Sequence, residues 1–237
     1  MKDLTGMNKR KSPGRAKPLV HSLYARPMSA EAIEERSFEI IDQEAPTHRF
    51  SPEQWQVVRR MIHTTADFGL MEDVKFSDDL VDSAVRALRS GSLIFVDSNM
   101  IRSGLSMVRL KEVCPKYGPG SLVCYVADDD VADRAREAGL PRSLFAVRKA
   151  APLLNGAIAV FGNAPVALME LSRLIIEEAI RPAFVVAAPV GFVHVIESKE
   201  ELMSLSVPYL AVAGRRGGSP LAVSAIHALC ALAIQRQ

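Results

Sequence analysis

Five short apolar segments follow Gly91 in the chain, and sequence of helical character separates each one from the next. The segments are rich in β-branched and aromatic residues and lack a regular polar alternation. Strands that are apolar on both faces are typical of a parallel sheet covered by helices on each side. The sequence therefore predicts an α/β fold with a mostly parallel sheet of about five strands and helices on both faces. The predicted strands are 93–97, 121–127, 156–162, 183–189 and 209–214.

Helices are predicted before the sheet as well as between its strands. The first starts after Ser29 and stops before Pro46. The second starts at "SPEQW", where Ser51 is the N-cap and Gln54 completes a capping box. The third ends at Gly91. Further helices are predicted near 101–111, 129–138, 143–154, 165–179, 198–205 and 220–236. The apolar residues of the last helix could serve either the core or a dimer interface.

Charge is distributed unevenly along the chain. Residues 1–18 contain six Lys or Arg side chains against Asp3, whereas the whole chain has a net charge of +2. We predict that residues 1–18 form a disordered basic leader and that residues 19–237 form a single domain. A solvated leader is favoured over a nucleic-acid-binding tail, because the rest of the sequence has no basic stripe with interleaved aromatic residues. No nucleic-acid partner is expected.

Composition also bears on membranes, metals and compartment. No apolar segment approaches the roughly 20 residues that span a bilayer, so no membrane partner is expected. The three cysteines match neither a disulfide framework nor a zinc spacing, and the five histidines show no metal-binding spacing. We expect no metal site, and reduced thiols in a cytoplasmic protein. The cysteines are Cys114, Cys124 and Cys230.

The loops after the predicted strands are where a ligand site is expected, because parallel sheets bind ligands beyond the carboxyl ends of their strands. Two of these loops lead into helices, whose N-termini present free amides to anions. The first is "GNAP" (162–165), where Gly162 would permit close backbone approach and Asn163 or Ala164 would precede the helix. We predict that this loop binds an anionic group of a ligand.

The second anion-binding candidate is "GRRGGSP" (214–220). Ser219 is predicted as the N-cap of the last helix, after Gly217 and Gly218. Arg215 and the arginine that follows it would add bidentate donors for carboxylates or phosphates. An ordinary Gly-Gly turn with solvated arginines is the alternative.

Sequence motifs exclude several common sites. Neither loop matches the P-loop or the GxGxxG pattern, and the chain has no GxSxG nucleophile motif. An oxidoreductase that holds the 2′-phosphate of NADP with Arg215 and Arg216 is therefore a weak alternative. The residues predict a site for a large ligand with several negative charges and an apolar body.

Six segments together carry a resemblance to a known family. From about Ala30 to Leu229 the chain resembles the precorrin-8X methylmutase (precorrin isomerase) family of cobalamin biosynthesis. The segments are "AIEERSFEII" (32–41), "VRRMIHTTADF" (58–68), "VDSNMIRSGL" (96–105), "GNAPVAL" (162–168), "PVGFVHVIESKE" (189–200) and "GRRGGSP" (214–220). Each is weakly specific alone, but the six in this order are highly specific.

The resemblance implies an isomerase without a cofactor. Its reaction moves a methyl group between adjacent ring-C carbons of a corrin precursor and gives hydrogenobyrinic acid, or cobyrinic acid when cobalt is present. A corrinoid rim carries several acetate and propionate carboxylates, which agrees with loops that favour anions. The resemblance also implies a homodimer with sites near its interface. A non-catalytic tetrapyrrole carrier is the leading alternative.

His63 is the catalytic residue that the resemblance implies, as the general acid that protonates the ring-C nitrogen. A histidine in the last turn of a helix lies at the negative end of the helix dipole, which favours a cation. The resemblance also implies a set of substrate-binding residues: Arg36, Ser37, Ser98, Met100, Asn163, Gly191 and Phe192. A core position is the alternative for Phe192. The anion-binding pattern of the second loop adds Arg215, Gly217, Gly218 and Ser219 to the predicted substrate-binding residues. The chain departs from the family pattern at Val166, His194 and His227, which leaves details of substrate contact and the presence of cobalt open.

Overall fold

A computed structural model describes residues 18–236 and shows a six-stranded sheet with helices on both faces. The strands are β1 Val74–Phe76, β2 Ile94–Val96, β3 Leu122–Val123, β4 Ile158–Phe161, β5 Phe184–Ala187 and β6 Tyr209–Val212. Residues 1–17 of the predicted leader lie outside the described residues.

The sheet has the order β1-β6-β5-β4-β2-β3, and all its neighbours pair in parallel except β1 and β6. After β2 the chain adds β3 on one side and then returns to add β4 on the other. The direction of winding therefore reverses between β2 and β4. A crevice forms at the carboxyl ends of strands at such a reversal, and it is the usual ligand position in this class of fold.

Twelve α-helices surround the sheet in the described part of the chain. They are α1 Val20–Ala25, α2 Ala30–Glu44, α3 Pro52–Thr65, α4 Leu70–Asp73, α5 Leu80–Ser90, α6 Asn99–Gly104, α7 Met107–Val113, α8 Asp129–Ala138, α9 Arg142–Ala150, α10 Pro165–Glu177, α11 Val195–Met203 and α12 Ser219–Gln235. Short 3₁₀ turns cover Pro119–Ser121 and Ala151–Leu153.

Alternate residues of the strands point to opposite faces, and each face has its own apolar core. Ile94, Val96, Ile158, Val160, Phe184, Val186, Leu210 and Val212 pack with the first core, to which α3, α5 and α12 contribute. Phe95, Ala159, Phe161, Val185, Ala187 and Ala211 pack with the second, to which α9, α10 and α11 contribute. This two-sided burial is the reason why the strands read as continuous apolar segments.

The five predicted strands and the helices on both faces are confirmed. At Ser51 the predicted capping box forms: the Ser51 hydroxyl accepts from the Gln54 amide at 3.2 Å, and the Gln54 side chain accepts from the Ser51 amide at 3.1 Å. Gly91 ends α5 in the left-handed conformation, with φ +74°. The helix predicted near 101–111 is divided into α6 and α7.

The sixth strand, β1, was not predicted. Its three residues, "VKF", are too short to give a pattern, and they extend because they pair antiparallel with β6 in a register that places Val74 opposite Val212. The last helix, α12, belongs to the core: Ala222, Ile226 and Leu229 are fully buried. Its apolar residues therefore do not form an exposed dimer face.

Candidate active site

His63 lies in the last turn of α3, and its side chain borders a cavity of about 290 Å³ between α2 and α3. Its ring meets the edge of Phe38 in a T-shaped contact, with 5.5 Å between ring centroids. In the described part of the chain, the imidazole nitrogens have no hydrogen-bond partner, so they are free to contact a ligand. The full lining is Ser37, Ile40, Ile41, Glu44, Ile62, His63, Ala66 and Phe68.

The structure brings Ser37 but not Arg36 to this cavity. Ser37 lines it and donates to the Ile33 carbonyl at 2.8 Å, one turn earlier on α2. Arg36 instead pairs with Glu39 on the exposed side of the same helix, at 2.6 Å. The cavity therefore presents one hydroxyl, one imidazole and the carboxylate of Glu44 among apolar side chains.

Charged contacts attach α2 to α3. Glu34 pairs with Arg60, and Asp42 pairs with Arg59 at 2.6 Å and accepts from the Trp55 indole at 2.8 Å. Ile41 is the one buried residue of α2, and the partly buried Phe38 also packs against the first core. Ion pairs and a small apolar contact thus hold the outer wall of the His63 cavity together.

The "GNAP" loop binds a carboxylate, but the carboxylate is the chain's own. Asp97, at the carboxyl end of β2, is buried and accepts from the amides of Gly162 (3.1 Å), Asn163 (2.8 Å) and Ala164 (2.7 Å). Burial raises the pKa of the Asp97 carboxyl, and the three amide hydrogen bonds oppose this. These three amides already donate to Asp97 and are therefore not free to bind a ligand anion, whereas contact of the Asn163 side chain with a substrate stays a prediction.

The glycine of this loop serves packing against the last helix. A Cβ on Gly162 would lie 2.9 Å from the Cα of Ser219, so the two loops touch through their backbones. Ser98 caps α6 and its hydroxyl lies 3.1 Å from that of Ser219. Gly218, not Ser219, is the N-cap of α12, because the Ser219 side chain turns to Ser98 instead of capping its own helix.

Gly217 also has a packing role. A Cβ there would lie 2.2 Å from the Ala188 carbonyl oxygen and 2.5 Å from that of Pro189. Gly218 donates its amide to the same Ala188 oxygen at 2.8 Å. The two glycines hold the turn against the end of β5. From the sequence, these glycines were predicted to contact a ligand.

Arg215 and Arg216 occupy different environments. Arg215 is exposed, and its guanidinium lies 5.4 Å from the centroid of the Phe192 ring. Arg216 lies between Asp67 and Asp73, at 3.4 Å from each. Arg215 therefore has its donors available for a ligand, whereas Arg216 is committed to internal carboxylates.

Three further candidates remain, and the side chains of two of them are exposed. Phe192 is 83% exposed, and Met100, in α6, is 67% exposed. Gly191 has φ +148° and donates its amide to the Arg215 carbonyl at 3.3 Å. The backbone of the segment around Phe192 is thus bonded to residues 214–216, which we call the arginine turn. The apolar side chains of that segment lie in solvent.

Asp67 connects the His63 cavity to the arginine turn. It follows His63 by one turn of chain and pairs with Arg216, whose guanidinium lies against Gly69. Phe68 lines the His63 cavity, and Gly69 lines a second cavity of about 610 Å³ with Arg215 and Arg216. Adjacent residues of one loop therefore border both cavities.

A larger cavity, about 810 Å³, lies between residues 46–50 and β1 and contains none of the predicted site residues. Its histidine, His48, stacks on Trp55 with ring centroids 4.2 Å apart. Size alone would favour this cavity, but the predicted site residues lie at the two smaller cavities. Phe68 borders it and also the His63 cavity.

Two basic side chains are shielded from solvent to different extents. Lys199, on α11, is fully buried and donates to two carbonyls of the arginine turn. His227, on α12, is half-buried and accepts the Ser106 amide at 2.9 Å, and burial with the nearby Arg109 and Arg60 lowers its pKa to about 4. Lys199 was not predicted, and His227 was predicted only as a departure from the family pattern.

Membrane and metal features are absent from the described residues. No helix within residues 18–236 has the length and apolar character to cross a membrane. In the same range, His, Cys, Asp and Glu side chains form no group of three that could hold a metal ion. The three cysteines are buried and unpaired.

Comparison with known proteins gives one consistent result. A sequence model of the precorrin-8X methylmutase family matches residues 32–232. The cobalt-precorrin-8 methylmutase of Leptospira interrogans is 44% identical over 213 residues, covering 86% of this chain and 94% of that protein. The enzyme of the same name from Priestia megaterium is 40% identical over 201 residues, covering 85% and 87%.

A solved structure agrees with the sequence comparisons. The precorrin-8x methyl mutase of Thermus thermophilus superposes with a TM-score of 0.79 at 44% identity, covering 87% of this chain and 97% of that chain. The matched residues include His63 at the end of α3, Asp97 with the "GNAP" loop that it binds, and the arginine turn. The chain belongs to the precorrin-8X methylmutase family of isomerases.

Proposed function

We propose that this chain moves a methyl group between adjacent ring-C carbons of a precorrin-8-type tetrapyrrole, with His63 as the general acid. The product would be hydrogenobyrinic acid, or cobyrinic acid if the ring carries cobalt. The bond from the methyl group to one carbon breaks as the bond to its neighbour forms, so substrate and product have the same composition. Family membership supports the reaction class.

The observation that carries the proposal is the position of His63. Its imidazole borders a cavity shared with Ser37, and no side chain of the described residues occupies its nitrogens. In this proposal the imidazolium donates a proton to the ring-C nitrogen, and the ring returns a proton to the imidazole once the methyl group has moved, so that no net proton is consumed. A positioned general acid contributes about 10²–10⁴-fold to a rate.

Substrate binding is assigned to the surface between the two cavities. A tetrapyrrole is too large for the 290 Å³ cavity alone, so we propose that ring C enters beside His63 while the rim extends toward Arg215. The exposed guanidinium of Arg215 can bind a rim carboxylate with two hydrogen bonds. The amides of the "GNAP" loop are left out of this assignment because they already donate hydrogen bonds to Asp97.

The proposed assembly is a homodimer in the cytoplasm. Phe192 and Val193 form an exposed apolar tip, 83% and 71% exposed, which a second copy of the chain could cover. Light scattering at micromolar concentration tests this, and a clean monomer with full activity would contradict a site that depends on the interface. Buried, unpaired cysteines suit a reducing compartment.

His63→Ala and His63→Asn test the role of the acid. The fold should remain, because His63 is exposed and its packing is limited to the edge of Phe38. Binding of hydrogenobyrinic acid should change little, whereas single-turnover conversion should fall by at least about 10² in both variants. Asn can donate a hydrogen bond but cannot deliver a proton. His21→Ala, at an exposed histidine of α1, is the matched control.

The pH profile adds a second criterion. Conversion by the wild-type chain should decline as pH rises and the imidazolium loses its proton, and this limb should be missing in the His63 variants. Cobalt-free and cobalt-containing substrates should both be assayed. Near wild-type conversion by His63→Ala would show that binding geometry alone drives the shift; binding without any turnover by the wild-type chain would indicate a carrier.

A further inference from the structure

Lys199 is an unusual residue to find without solvent exposure. It lies on α11, within the segment "PVGFVHVIESKE", and its side chain is 0% exposed. Burial of a lysine is costly unless its ammonium group finds hydrogen-bond acceptors. Its Nζ donates to the Gly214 carbonyl at 2.9 Å and to the Arg216 carbonyl at 2.7 Å.

These two carbonyls flank Arg215 in the chain. The carbonyl of Arg215 itself accepts the Gly191 amide at 3.3 Å, and the Gly218 amide donates to Ala188 at 2.8 Å. The carbonyls of Gly214, Arg215 and Arg216 therefore each accept a hydrogen bond. The Lys199 ammonium is the donor for two of them. The Arg215 side chain projects from this turn into solvent.

The charges around Lys199 explain how the ammonium is tolerated. Burial lowers the pKa of Lys199 to about 8, and Asp73 opposes this. Asp73 also pairs with Arg216, at 3.4 Å, so the turn, α4 and α11 share one group of charges. A neutral side chain of the same length would fill the space but would leave both carbonyls without their donors.

We propose that Lys199 is a positioning residue that holds the turn 214–216 so that Arg215 faces an anionic group of the substrate. This inference rests on the proposed function for the identity of the ligand, but not for the contacts. Arg215 touches the substrate, and Lys199 acts on binding only through the turn. Lys199 is thus the buried residue that supports the turn, and Arg215 is the exposed residue that contacts the ligand.

Lys199→Met tests the inference in two ways. In the ligand-free protein, hydrogen exchange of the Gly191 and Gly218 amides should accelerate at least about tenfold, because these two amides hydrogen-bond at the turn that Lys199 holds. Affinity for hydrogenobyrinic acid should fall about tenfold with kcat nearly unchanged. Lys149→Met is the matched control, since Lys149 makes two ion pairs with Asp128 and Asp130 on α8 and its N-cap.

A double-mutant cycle with Arg215→Ala separates positioning from simple destabilisation. If Lys199 acts through Arg215, Lys199→Met should weaken binding less than about twofold once Arg215 has been replaced. Additive losses in the cycle, or unchanged exchange of the Gly191 and Gly218 amides, would overturn the inference. Lys199→Gln, which keeps one donor, replaces the Met variant if that variant does not fold, and its losses should be smaller.

Failure of the proposed function has a different signature. If the wild-type chain does not bind hydrogenobyrinic acid, the ligand assignment falls and the proposed function falls with it. The exchange measurement uses no ligand and would still decide whether Lys199 holds the turn.

Discussion

The half-buried imidazole of His227 leads to a quantitative prediction about acid stability. Its Nε2 accepts the amide of Ser106, the N-cap of α7, so the neutral form is the one that fits. Protonation would add an N–H group at Nε2, and this donor would then face the N–H donor of Ser106. The perturbation that isolates this contact is His227→Gln, because a glutamine oxygen can reach the position of Nε2 and stays neutral at every pH.

The magnitude follows from the difference in proton affinity between the two states. Burial, with Arg109 and Arg60, lowers the pKa of His227 from 6.5 to about 4 in the folded chain, against a partial opposing effect of Glu34. Below pH 6.5 the unfolded chain binds a proton that the folded chain does not, so stability falls as pH drops from about 6.5 to 4. One pKa unit is about 1.4 kcal/mol, which sets a ceiling of about 3.5 kcal/mol.

Because His227 is only half-buried, solvent screens part of this effect, and we expect about 1–2 kcal/mol by pH 4.5. Urea unfolding of wild type and His227→Gln at pH 7.5 and pH 4.5 measures it. Carboxylates that protonate in both proteins cancel in the comparison. The two should have similar stability at pH 7.5, and the variant should be more stable by about 1–2 kcal/mol at pH 4.5. Equal losses on acidification would refute the assignment of a neutral, buried His227.

Three other changes test the site region. Asp97→Asn should lower the free energy of unfolding by about 2–3 kcal/mol in urea titrations, because one of three amides loses its acceptor and the other two lose a charged one; a loss under about 0.5 kcal/mol would contradict this. Gly217→Ala should cost about 2–4 kcal/mol by the same assay, since its Cβ would meet backbone oxygens, whereas Gly118→Ala, with open space around it, should be neutral. Arg215→Ala should raise KM by about 10- to 150-fold and spare kcat in steady-state assays, and an unchanged KM would move the rim contact elsewhere.

The strands and most helix boundaries could be predicted because local signals and tertiary structure agree in this chain. Strands β2, β4, β5 and β6 are buried on both faces, so their composition shows directly in the sequence. The capping box at Ser51 and the glycine at position 91 act within a single turn of helix. Such features do not depend on what the rest of the chain does.

The interior of the candidate site could be predicted only in part. The sequence indicated that the amides of "GNAP" would bind an anion, and they do, but it could not show that Asp97, 65 residues earlier, supplies it. The signal that was available is an aspartate directly after a buried strand at the point where winding reverses. Lys199 gave no such signal, because a lysine on a polar helix face and a lysine under a turn have the same local sequence.

The attachment of α2 by ion pairs has a consequence for how this enzyme responds to its medium. Added salt shortens the screening length from about 8 Å at physiological ionic strength to about 3 Å at 1 M, and partly exposed pairs such as Glu34–Arg60 and Asp42–Arg59 weaken accordingly. The apolar cores on the two faces of the sheet do not weaken in this way. Concentrated salt would therefore loosen the outer wall of the His63 cavity while the sheet stays intact. Rates measured at different salt concentrations would then report different populations of α2, and not only a different attraction between Arg215 and a charged ring.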